Sequence, residues 1–177
     1  MILIQLTGLS GAGKTTIAGF IENTLQQNGF NVSIIDGDIF RKKFCTDLGF
    51  SETDRFENLN RIIAFAKNNS ANHDFIILSI INPFESVRKK IKTEFQNCMT
   101  IWVNCTLETL KKRDTKGFYQ RAFLPPNDPN YLKNFTGISQ KYELPLQYDL
   151  AINTDELSIS ETQHLISQYF SKPYQKL

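Results

Sequence analysis

The sequence predicts an α/β fold in which a parallel β-sheet is covered by helices on both faces. Two observations lead to this prediction. Short apolar runs alternate along the chain with longer segments in which apolar residues recur at helical spacing. A glycine-rich loop lies between the first apolar run and the first helical segment. The length of 177 residues suits one domain, and we expect residues 1–177 to form it.

The first apolar run, Ile2 to Leu6, predicts a buried strand, and the loop after it carries a phosphate-loop (P-loop, Walker A) pattern. Gly8, Gly13, Lys14 and Thr15 match G-x-x-x-x-G-K-[ST] without a mismatch. Glycines let backbone N–H groups converge on phosphate oxygens, which the positive end of the following helix also faces. Lys14 supplies a cation for the β- and γ-phosphates, while the Thr15 hydroxyl is a hard oxygen ligand for Mg²⁺. The pattern therefore predicts a P-loop fold that binds a nucleoside triphosphate with Mg²⁺.

We assign the whole loop to nucleotide binding. A glycine-rich turn that matches the pattern by coincidence is the alternative, but the strand-loop-helix context favours a binding site. The predicted nucleotide-binding residues of the loop are Gly8, Ser10, Gly11, Ala12, Gly13, Lys14, Thr15 and Thr16.

The next two predicted elements are a helix and a strand, and the strand ends at two carboxylate side chains. Helical spacing over Thr15 to Asn28 predicts a helix, with Gly29 as its C-terminal cap. The apolar run Val32 to Ile35 predicts a second strand that stops at Asp36 and Asp38. Carboxylates at the C-terminal end of a parallel strand face the crevice where ligands bind in open α/β sheets. The alternative is that Asp-Gly here is only a common turn pair.

The alternation continues through the second half of the chain. Residues 40–50 are expected to be irregular or short-helical, and capping patterns at two serines and a threonine mark later helix starts. The predicted elements are a helix from Ser51 to about Ala71, a central strand from Phe75 to Ile81, a helix starting at Pro83, a strand from Met99 to Val103, a helix from Thr106 to about Arg113, a strand from Leu150 to Ile152 and a helix from Ser158 to about Phe170.

One long segment, residues 114–145, breaks the pattern. It contains four of the six prolines, and seven Lys or Arg residues against two Asp lie between positions 111 and 141. A connection this long in a compact domain is usually functional, so we predict a lid over the site. Its charge suits an anionic small molecule, although a solvated basic loop is the alternative.

Composition excludes several classes of protein. A formal net charge of +2 argues against a nucleic-acid partner, and no apolar run approaches the roughly 20 residues that a membrane span requires. Cys45, Cys98 and Cys105 are odd in number and lack a C-x-x-C spacing, as expected of reduced thiols in a cytoplasmic protein. Met1 leads directly into the first strand, so we expect no signal peptide.

The third predicted strand lacks the acidic residue of a Walker B motif, because Phe75 to Asn82 contains no Asp. This argues against a large ATP-driven machine. It favours a small kinase in which Thr15, phosphates and water hold the metal.

Several motifs outside the P-loop point to one kind of kinase. They are Asp36 to Arg41, Asp47 to Asn58, Arg113 to Tyr119, Phe135 to Ile138 and the pair Tyr142-Glu143. In this order, and with the loop from Gly8 to Ala18, they resemble the adenylylsulfate kinase (APS kinase) family over nearly the whole chain. The resemblance implies phosphorylation of the 3′-hydroxyl of adenosine 5′-phosphosulfate by Mg·ATP, which activates sulfate for assimilation. It also implies a homodimer.

The resemblance carries specific roles onto residues of this sequence. It makes Asp38 the catalytic carboxylate beside the attacking hydroxyl, with Lys14 as the second catalytic group. It gives Arg113 and Lys116 contacts to the nucleotide, Lys116 from the lid, while Thr15 binds the metal. Asp36 could have a different role from Asp38, which is to order the Mg²⁺ shell through water. The implied substrate-binding residues are Asp36, Arg41, Phe50, Arg55, Asn58, Ile81, Lys116 and Phe135.

Within that set, the resemblance implies that Arg41, Arg55 and Asn58 hold the phosphosulfate and orient the substrate. Guanidinium groups suit this role for the arginines, because they match tetrahedral oxyanions. Phe50 and Phe135 would stack on the two faces of the adenine. Plain core packing is the alternative for both phenylalanines, but their irregular, polar segments favour a binding role.

The sequence departs from the family pattern around the lid and the substrate side. Asn82 replaces the usual Ser of an Ile-Ser-Pro-Tyr stretch, and Thr115 replaces a proline. Residues 123–134 form a longer proline-rich segment, and residues 139–141 read Ser-Gln-Lys in place of Asp-Ser-Pro. Two alternatives therefore stay open: a same-fold kinase for another nucleotide-like or sugar hydroxyl, and a nucleotide-binding protein without catalysis.

Overall fold

The computed structural model of the protein describes residues 1–114 and 116–171, so the Thr115 departure lies outside the described residues. The strands are β1 (Ile2–Thr7), β2 (Val32–Asp36), β3 (Phe75–Ser79), β4 (Cys98–Asn104) and β5 (Leu150–Asn153). The helices are α1 (Lys14–Gln27), α2 (Gly37–Phe44), α3 (Glu52–Asn68), α4 (Glu85–Glu94), α5 (Leu107–Arg113), α6 (Phe118–Ala122) and α7 (Ile159–Ser171), with a 3₁₀ turn at Ser70–Asn72.

The five strands form one parallel sheet in the order β2-β3-β1-β4-β5. The middle strand is β1, in which Leu3 pairs with Ile76 on one side and with Cys98 on the other. The β3 strand lies inside the sheet and is buried throughout, but it ends at Ser79, two residues before the predicted end. Because all strands run the same way, their C-terminal ends meet at one edge of the sheet.

Alternate side chains of the sheet belong to two separate cores. Ile4 of β1 packs in a cluster with Ile21 of α1 and Phe170 of α7. Leu3, one residue earlier, packs with Ile62 of α3 and with residues of α4. Each fully buried side chain of this size contributes about 1.5–3 kcal/mol. The helices therefore cover both faces of the sheet, which confirms the predicted fold class.

Capping explains where most helices begin. Ser51 and Asp54 form the predicted capping box of α3, Ser158 and Glu161 exchange the same two bonds at α7, and Thr106 caps α5 by accepting from a backbone N–H. These local signals lie within four residues, so the sequence shows them directly.

Two helix starts differ from the prediction for physical reasons. The Asp36 side chain accepts hydrogen bonds from the backbone N–H groups of Asp38 and Ile39 and so starts α2, which places Asp38 in a helix rather than at a strand end. Helix α4 begins at Glu85 rather than at Pro83, because the lid residue Glu143 accepts from the Glu85 N–H at 2.6 Å.

Gly8 occupies a position that no other residue fits. Its φ is +157°, and a Cβ atom there would lie 2.3 Å from the carbonyl oxygen of Val103. We expect Gly8→Ala to lower the free energy of unfolding by at least about 1–3 kcal/mol, the cost of a backbone held in a disfavoured conformation. Urea denaturation without nucleotide measures this.

The matched control is Gly19→Ala in α1, where a Cβ would meet nothing within 4 Å. That change should raise the free energy of unfolding by about 0.5–1 kcal/mol, since alanine loses less backbone entropy in a helix. Equal unfolding midpoints for the Gly8 variant and the wild type would contradict the prediction.

Candidate active site

The P-loop between β1 and α1 wraps around one buried lysine. Gly11 and Gly13 adopt the left-handed φ values of +78° and +102°, which glycine reaches without steric cost. Lys14, the first residue of α1, is 8% exposed and donates from Nζ to the carbonyl oxygen of Leu9 at 2.7 Å. Burial lowers the pKa of Lys14 to about 8, an effect that the charge of Asp38 partly offsets. An anion bound beside this ammonium would stabilise its charged form.

Three side chains with oxygen atoms that could bind a hard metal ion lie next to the P-loop. The Thr15 Oγ1 donates to Asp36 Oδ2 at 2.8 Å, and the Ser79 Oγ donates to the same oxygen at 3.4 Å. Asp36 pairs directly with Ser79 across the strands, so a carboxylate lies beside the end of β3 although β3 itself has none. Two hydroxyls and a carboxylate are ligands that suit Mg²⁺. In the described part of the chain, no group of three or more His, Cys, Asp or Glu side chains is placed to hold a metal ion.

A first cavity of about 540 Å³ opens over the P-loop. It collects nearly all the predicted nucleotide-binding residues. Gly8 is the exception, since it lies against β4 and does not line the cavity. Those that line it are Ser10, Gly11, Ala12, Gly13, Lys14, Thr15, Thr16, Arg113 and Lys116.

Thr154 is a cavity residue that the sequence analysis missed. Its Oγ1 donates to the P-loop carbonyl of Ala12 at 3.1 Å. Arg113 donates to the Thr154 Oγ1 at 3.1 Å and to the Thr154 carbonyl oxygen at 2.5 Å. The available signal was its position directly after β5, at the edge of the sheet where the other strands also end.

Asp38 forms an ion pair with Lys116 of the lid segment. Both side chains are about half exposed, so the pair is worth about 0–1 kcal/mol and can be exchanged for contacts with a ligand. The pair brings the predicted catalytic carboxylate and the predicted lid cation together at the mouth of the first cavity.

A second cavity of about 400 Å³ adjoins the first. Six of the predicted substrate-binding residues line it, whereas Asp36 and Lys116 line the first cavity. The six are Arg41, Phe50, Arg55, Asn58, Ile81 and Phe135. The residues common to both cavities are Ser10, Gly37, Asp38, Ile80 and Ile81. Asp38 therefore lies where a group bound in one cavity meets a group bound in the other.

Basic side chains outnumber acidic ones in the lining of the second cavity, and two of its arginines lie beside Phe50. The Arg41 guanidinium lies 4.3 Å from the ring centre of Phe50, and that of Arg55 lies 5.6 Å from the same centre. Burial, followed by the charge of Arg41, lowers the pKa of Arg55 to about 10. With a pKa of about 10, Arg55 stays charged at neutral pH, and an anion between the two guanidinium groups would relieve their mutual repulsion.

Gln140 holds this part of the cavity together. Its Oε1 accepts from Arg55 Nε at 2.5 Å, and its Nε2 donates to the Phe50 carbonyl oxygen at 2.9 Å. The sequence showed Gln140 only as a departure from the family pattern. Its contacts join segments about 90 residues apart, so no local signal could reveal them.

The two phenylalanines differ in environment. Phe50 is 53% exposed, as expected of a loop residue. Phe135 is only 7% exposed and packs edge-on against Tyr119, with ring centres 5.0 Å apart. The expectation that Phe135 lies outside the core is therefore wrong, because the irregular lid segment folds back onto α6. Phe135 nevertheless lines the same cavity as Phe50.

The sequence matches the family model described as adenylylsulphate kinase over residues 1–153, which is most of the 177-residue chain. The chain belongs to the adenylylsulphate kinase family. The resemblance inferred from the separate motifs is thus confirmed. This family member therefore has a parallel sheet in the order β2-β3-β1-β4-β5 and two adjoining cavities that share Asp38.

Similar proteins carry the same family name. The chain is 38% identical to a probable adenylyl-sulfate kinase of Pseudomonas aeruginosa over 164 residues, which is 93% of this chain and 74% of the relative. It is 36% identical to an adenylyl-sulfate kinase of Halothermothrix orenii over 171 residues, 97% of this chain and 90% of the relative. An APS kinase of Mycobacterium tuberculosis, solved with AMPPNP and APS, superposes with a TM-score of 0.83 at 29% identity, covering 96% of this chain and 98% of that one.

Within residues 1–114 and 116–171, no helix of this family member is long and apolar enough to cross a membrane. The cytoplasmic location and the lack of a nucleic-acid partner stay predictions. The residue assignments made from the sequence also stay predictions, although the structure collects them around the two cavities.

Asp36 and Asp38 should differ in their contribution to stability. Asp36→Ala removes both the cap of α2 and the partner of Thr15, so we expect it to cost about 0.5–2 kcal/mol of unfolding free energy. Asp38→Ala, the matched control, removes an exposed ion pair but no helix cap and should cost less than about 1 kcal/mol. Urea denaturation of both variants without nucleotide provides the measurement, and a larger loss for Asp38→Ala would refute the difference.

Proposed function

We propose that this adenylylsulphate kinase family member transfers the γ-phosphoryl group of ATP to the 3′-hydroxyl of adenosine 5′-phosphosulfate. The product is 3′-phosphoadenosine 5′-phosphosulfate, the activated sulfate used in assimilation. The observation that carries the proposal is the pair of cavities that meet at Asp38, one built around the P-loop and the other lined by arginine and phenylalanine side chains that include Arg41, Arg55, Phe50 and Phe135. The solved relative that holds AMPPNP and APS supports it.

ATP would occupy the first cavity. The P-loop N–H groups and Lys14 would hold its phosphates, since the buried ammonium gains a counter-charge there. Thr15, Asp36 and Ser79 are the residues that would hold Mg²⁺, because their oxygens already lie together. The ion would neutralise charge on the β- and γ-phosphates. Arg113, held by its hydrogen bonds to Thr154, lines the same cavity.

The acceptor would occupy the second cavity. Arg41 and Arg55 suit a phosphosulfate group, because planar guanidinium groups bind tetrahedral oxyanions well. Phe50 and Phe135 supply aromatic surface for an adenine ring. Asn58 contributes a buried Oδ1 that has no hydrogen-bond partner in the protein, so a donor from the ligand would satisfy it.

Asp38 would act on the hydroxyl of the acceptor. It accepts the proton of the 3′-hydroxyl as that oxygen bonds to the γ-phosphorus, while the bond from phosphorus to the β,γ-bridging oxygen breaks and ADP leaves. Lys116 would exchange its pairing with Asp38 for the phosphates, because the pair is exposed and weak. Most of the catalysis then comes from positioning and charge stabilisation.

Asp38→Asn tests the function and the mechanism together. With ATP, Mg²⁺ and adenosine phosphosulfate, the wild type should form the 3′-phosphorylated product, which anion-exchange chromatography detects. Asp38→Asn should lower turnover by about 10²-fold or more while ATP binding survives, because the proton acceptor is lost and the P-loop is unchanged. A fully active variant would exclude Asp38 as the base.

The same assay decides between acceptors. The altered residues of the acceptor side, Asn82 and Gln140, favour as a second candidate a kinase for another nucleotide-like or sugar hydroxyl. Sugars offered in place of adenosine phosphosulfate would then be phosphorylated faster. A protein that binds ATP and phosphorylates neither acceptor would instead be the non-catalytic alternative.

Phe50→Ala should weaken acceptor binding by about 1–3 kcal/mol, the scale of base–aromatic stacking, without changing ATP affinity. Phe50 is the informative position because it is exposed, whereas truncating the buried Phe135 would also cost about 3–5 kcal/mol of stability. Phe123→Ala is the matched control, because Phe123 is similarly exposed and lines neither cavity. Calorimetric titration measures both affinities, and equal losses for ATP and acceptor would remove Phe50 from the acceptor site.

The homodimer implied by the resemblance is also part of this proposal. Sedimentation equilibrium of the purified protein measures its mass, and a monomer at micromolar concentration would contradict a stable dimer.

A further inference from the structure

Buried oxygens without hydrogen-bond partners concentrate in the second cavity. Among the described residues, three buried side-chain polar atoms have no partner: Asn58 Oδ1, Asn82 Oδ1 and Thr136 Oγ1. All three residues line the second cavity. A buried polar atom without a partner destabilises the fold, and native proteins rarely keep one without a reason. Their common location indicates that a ligand supplies the missing donors.

Asn82 is held so that its oxygen stays free. Its Nδ2 donates to Gln5 Oε1 at 3.1 Å. The amide nitrogen of Gln5 in turn donates to Thr100 Oγ1 at 2.9 Å and to the Arg88 carbonyl oxygen at 3.2 Å. These acceptors fix the orientation of the Gln5 amide, and Gln5 fixes that of Asn82. The Asn82 Oδ1 is therefore left as an acceptor.

The backbone of Asn82 is fixed as well. Its φ is +41°, a left-handed conformation that asparagine tolerates better than most residues. Its carbonyl oxygen accepts from Arg88 Nη1 at 2.7 Å and from Thr7 Oγ1 at 3.1 Å. Asn82 is only 1% exposed. A side chain so firmly placed can select among ligands, because it cannot turn away from a missing donor.

The position of Asn82 indicates which part of the acceptor it meets. It directly follows Ile80 and Ile81, which line both cavities together with Asp38. Asn82 thus lies toward the junction where the phosphoryl group would be transferred. The hydrogen-bond donors of a nucleotide acceptor at that junction are the ribose hydroxyls. In the proposed mechanism the 3′-hydroxyl gives its proton to Asp38, which leaves the neighbouring 2′-hydroxyl.

We propose that the Oδ1 of Asn82 accepts a hydrogen bond from the ribose 2′-hydroxyl of the acceptor nucleotide, and that Asn82 thereby selects ribonucleotide over 2′-deoxyribonucleotide acceptors. This inference rests on the proposed function, because it requires a nucleotide acceptor in the second cavity. It assigns Asn82 a role in specificity and none in proton transfer.

The test compares kcat/KM for adenosine 5′-phosphosulfate with kcat/KM for its 2′-deoxy analogue. The wild type should prefer the ribonucleotide by about 10- to 100-fold, since the deoxy analogue leaves a buried acceptor without a donor. In Asn82→Ala this preference should fall to about twofold or less. Asn82→Gly gives a second variant that accepts the left-handed backbone, in case alanine impairs folding.

Thr136→Val is the matched control, because it removes another unpaired oxygen of the same cavity while keeping the shape of the side chain. The preference for the ribonucleotide should persist in this variant. Loss of the preference in Thr136→Val, or its persistence in both Asn82 variants, overturns the assignment to Asn82.

The failures of the two proposals are distinguishable. A wild type that phosphorylates both nucleotides equally retains the proposed function and refutes the role of Asn82. A wild type that phosphorylates neither nucleotide overturns both.

Discussion

The backbone of Gly8 lies so close to β4 that no side chain fits between them, and the rest of the site depends on this approach. The Gly8 N–H also donates to the carbonyl oxygen of Ile81 at 3.3 Å. The P-loop is thereby tied to the segment that leaves β3, and Ile81 in that segment lines both cavities. One glycine thus sets the distance between the phosphate site and the acceptor site.

The lid segment is fastened to the body at several points. Near its start, Arg113 bonds to Thr154, and in α6 the Tyr119 hydroxyl donates to the P-loop carbonyl of Ser10 at 2.8 Å. Near its end, the carbonyl oxygen of Glu143 accepts from the buried Arg88 at 2.7 Å. The lid is therefore a wall of both cavities in this structure. The ion pair between Lys116 of the lid and Asp38 is exposed to solvent, so it is weaker than these partly buried contacts.

The elements that sequence reasoning recovered are those with contiguous signals. The P-loop, the apolar strands and the capping boxes at Ser51 and Ser158 each span only a few residues. The interactions that form them therefore involve neighbours in the sequence. The start of α4 was wrong because its cap comes from Glu143. The burial of Phe135 was missed because only packing against Tyr119 creates it.

Candidate site residues show the same division. Motifs and the family resemblance indicated the charged and aromatic groups that line the cavities, since these stand in recognisable stretches. Thr154, Ser79 and Gln140 were missed as functional neighbours because each acts through partners on distant segments. Hydrogen bonds that join segments far apart in the chain produce no periodic pattern in the sequence.

The pairing of β1 has a consequence for protein synthesis. This strand precedes the P-loop, yet in the described part of the chain its sheet partners are strands that are synthesised much later, with Leu3 joined to Ile76 and to Cys98. Contacts so distant in sequence form slowly and only once both partners exist. During synthesis the P-loop sequence is therefore present before β3 and β4, the strands that flank β1 in the finished sheet.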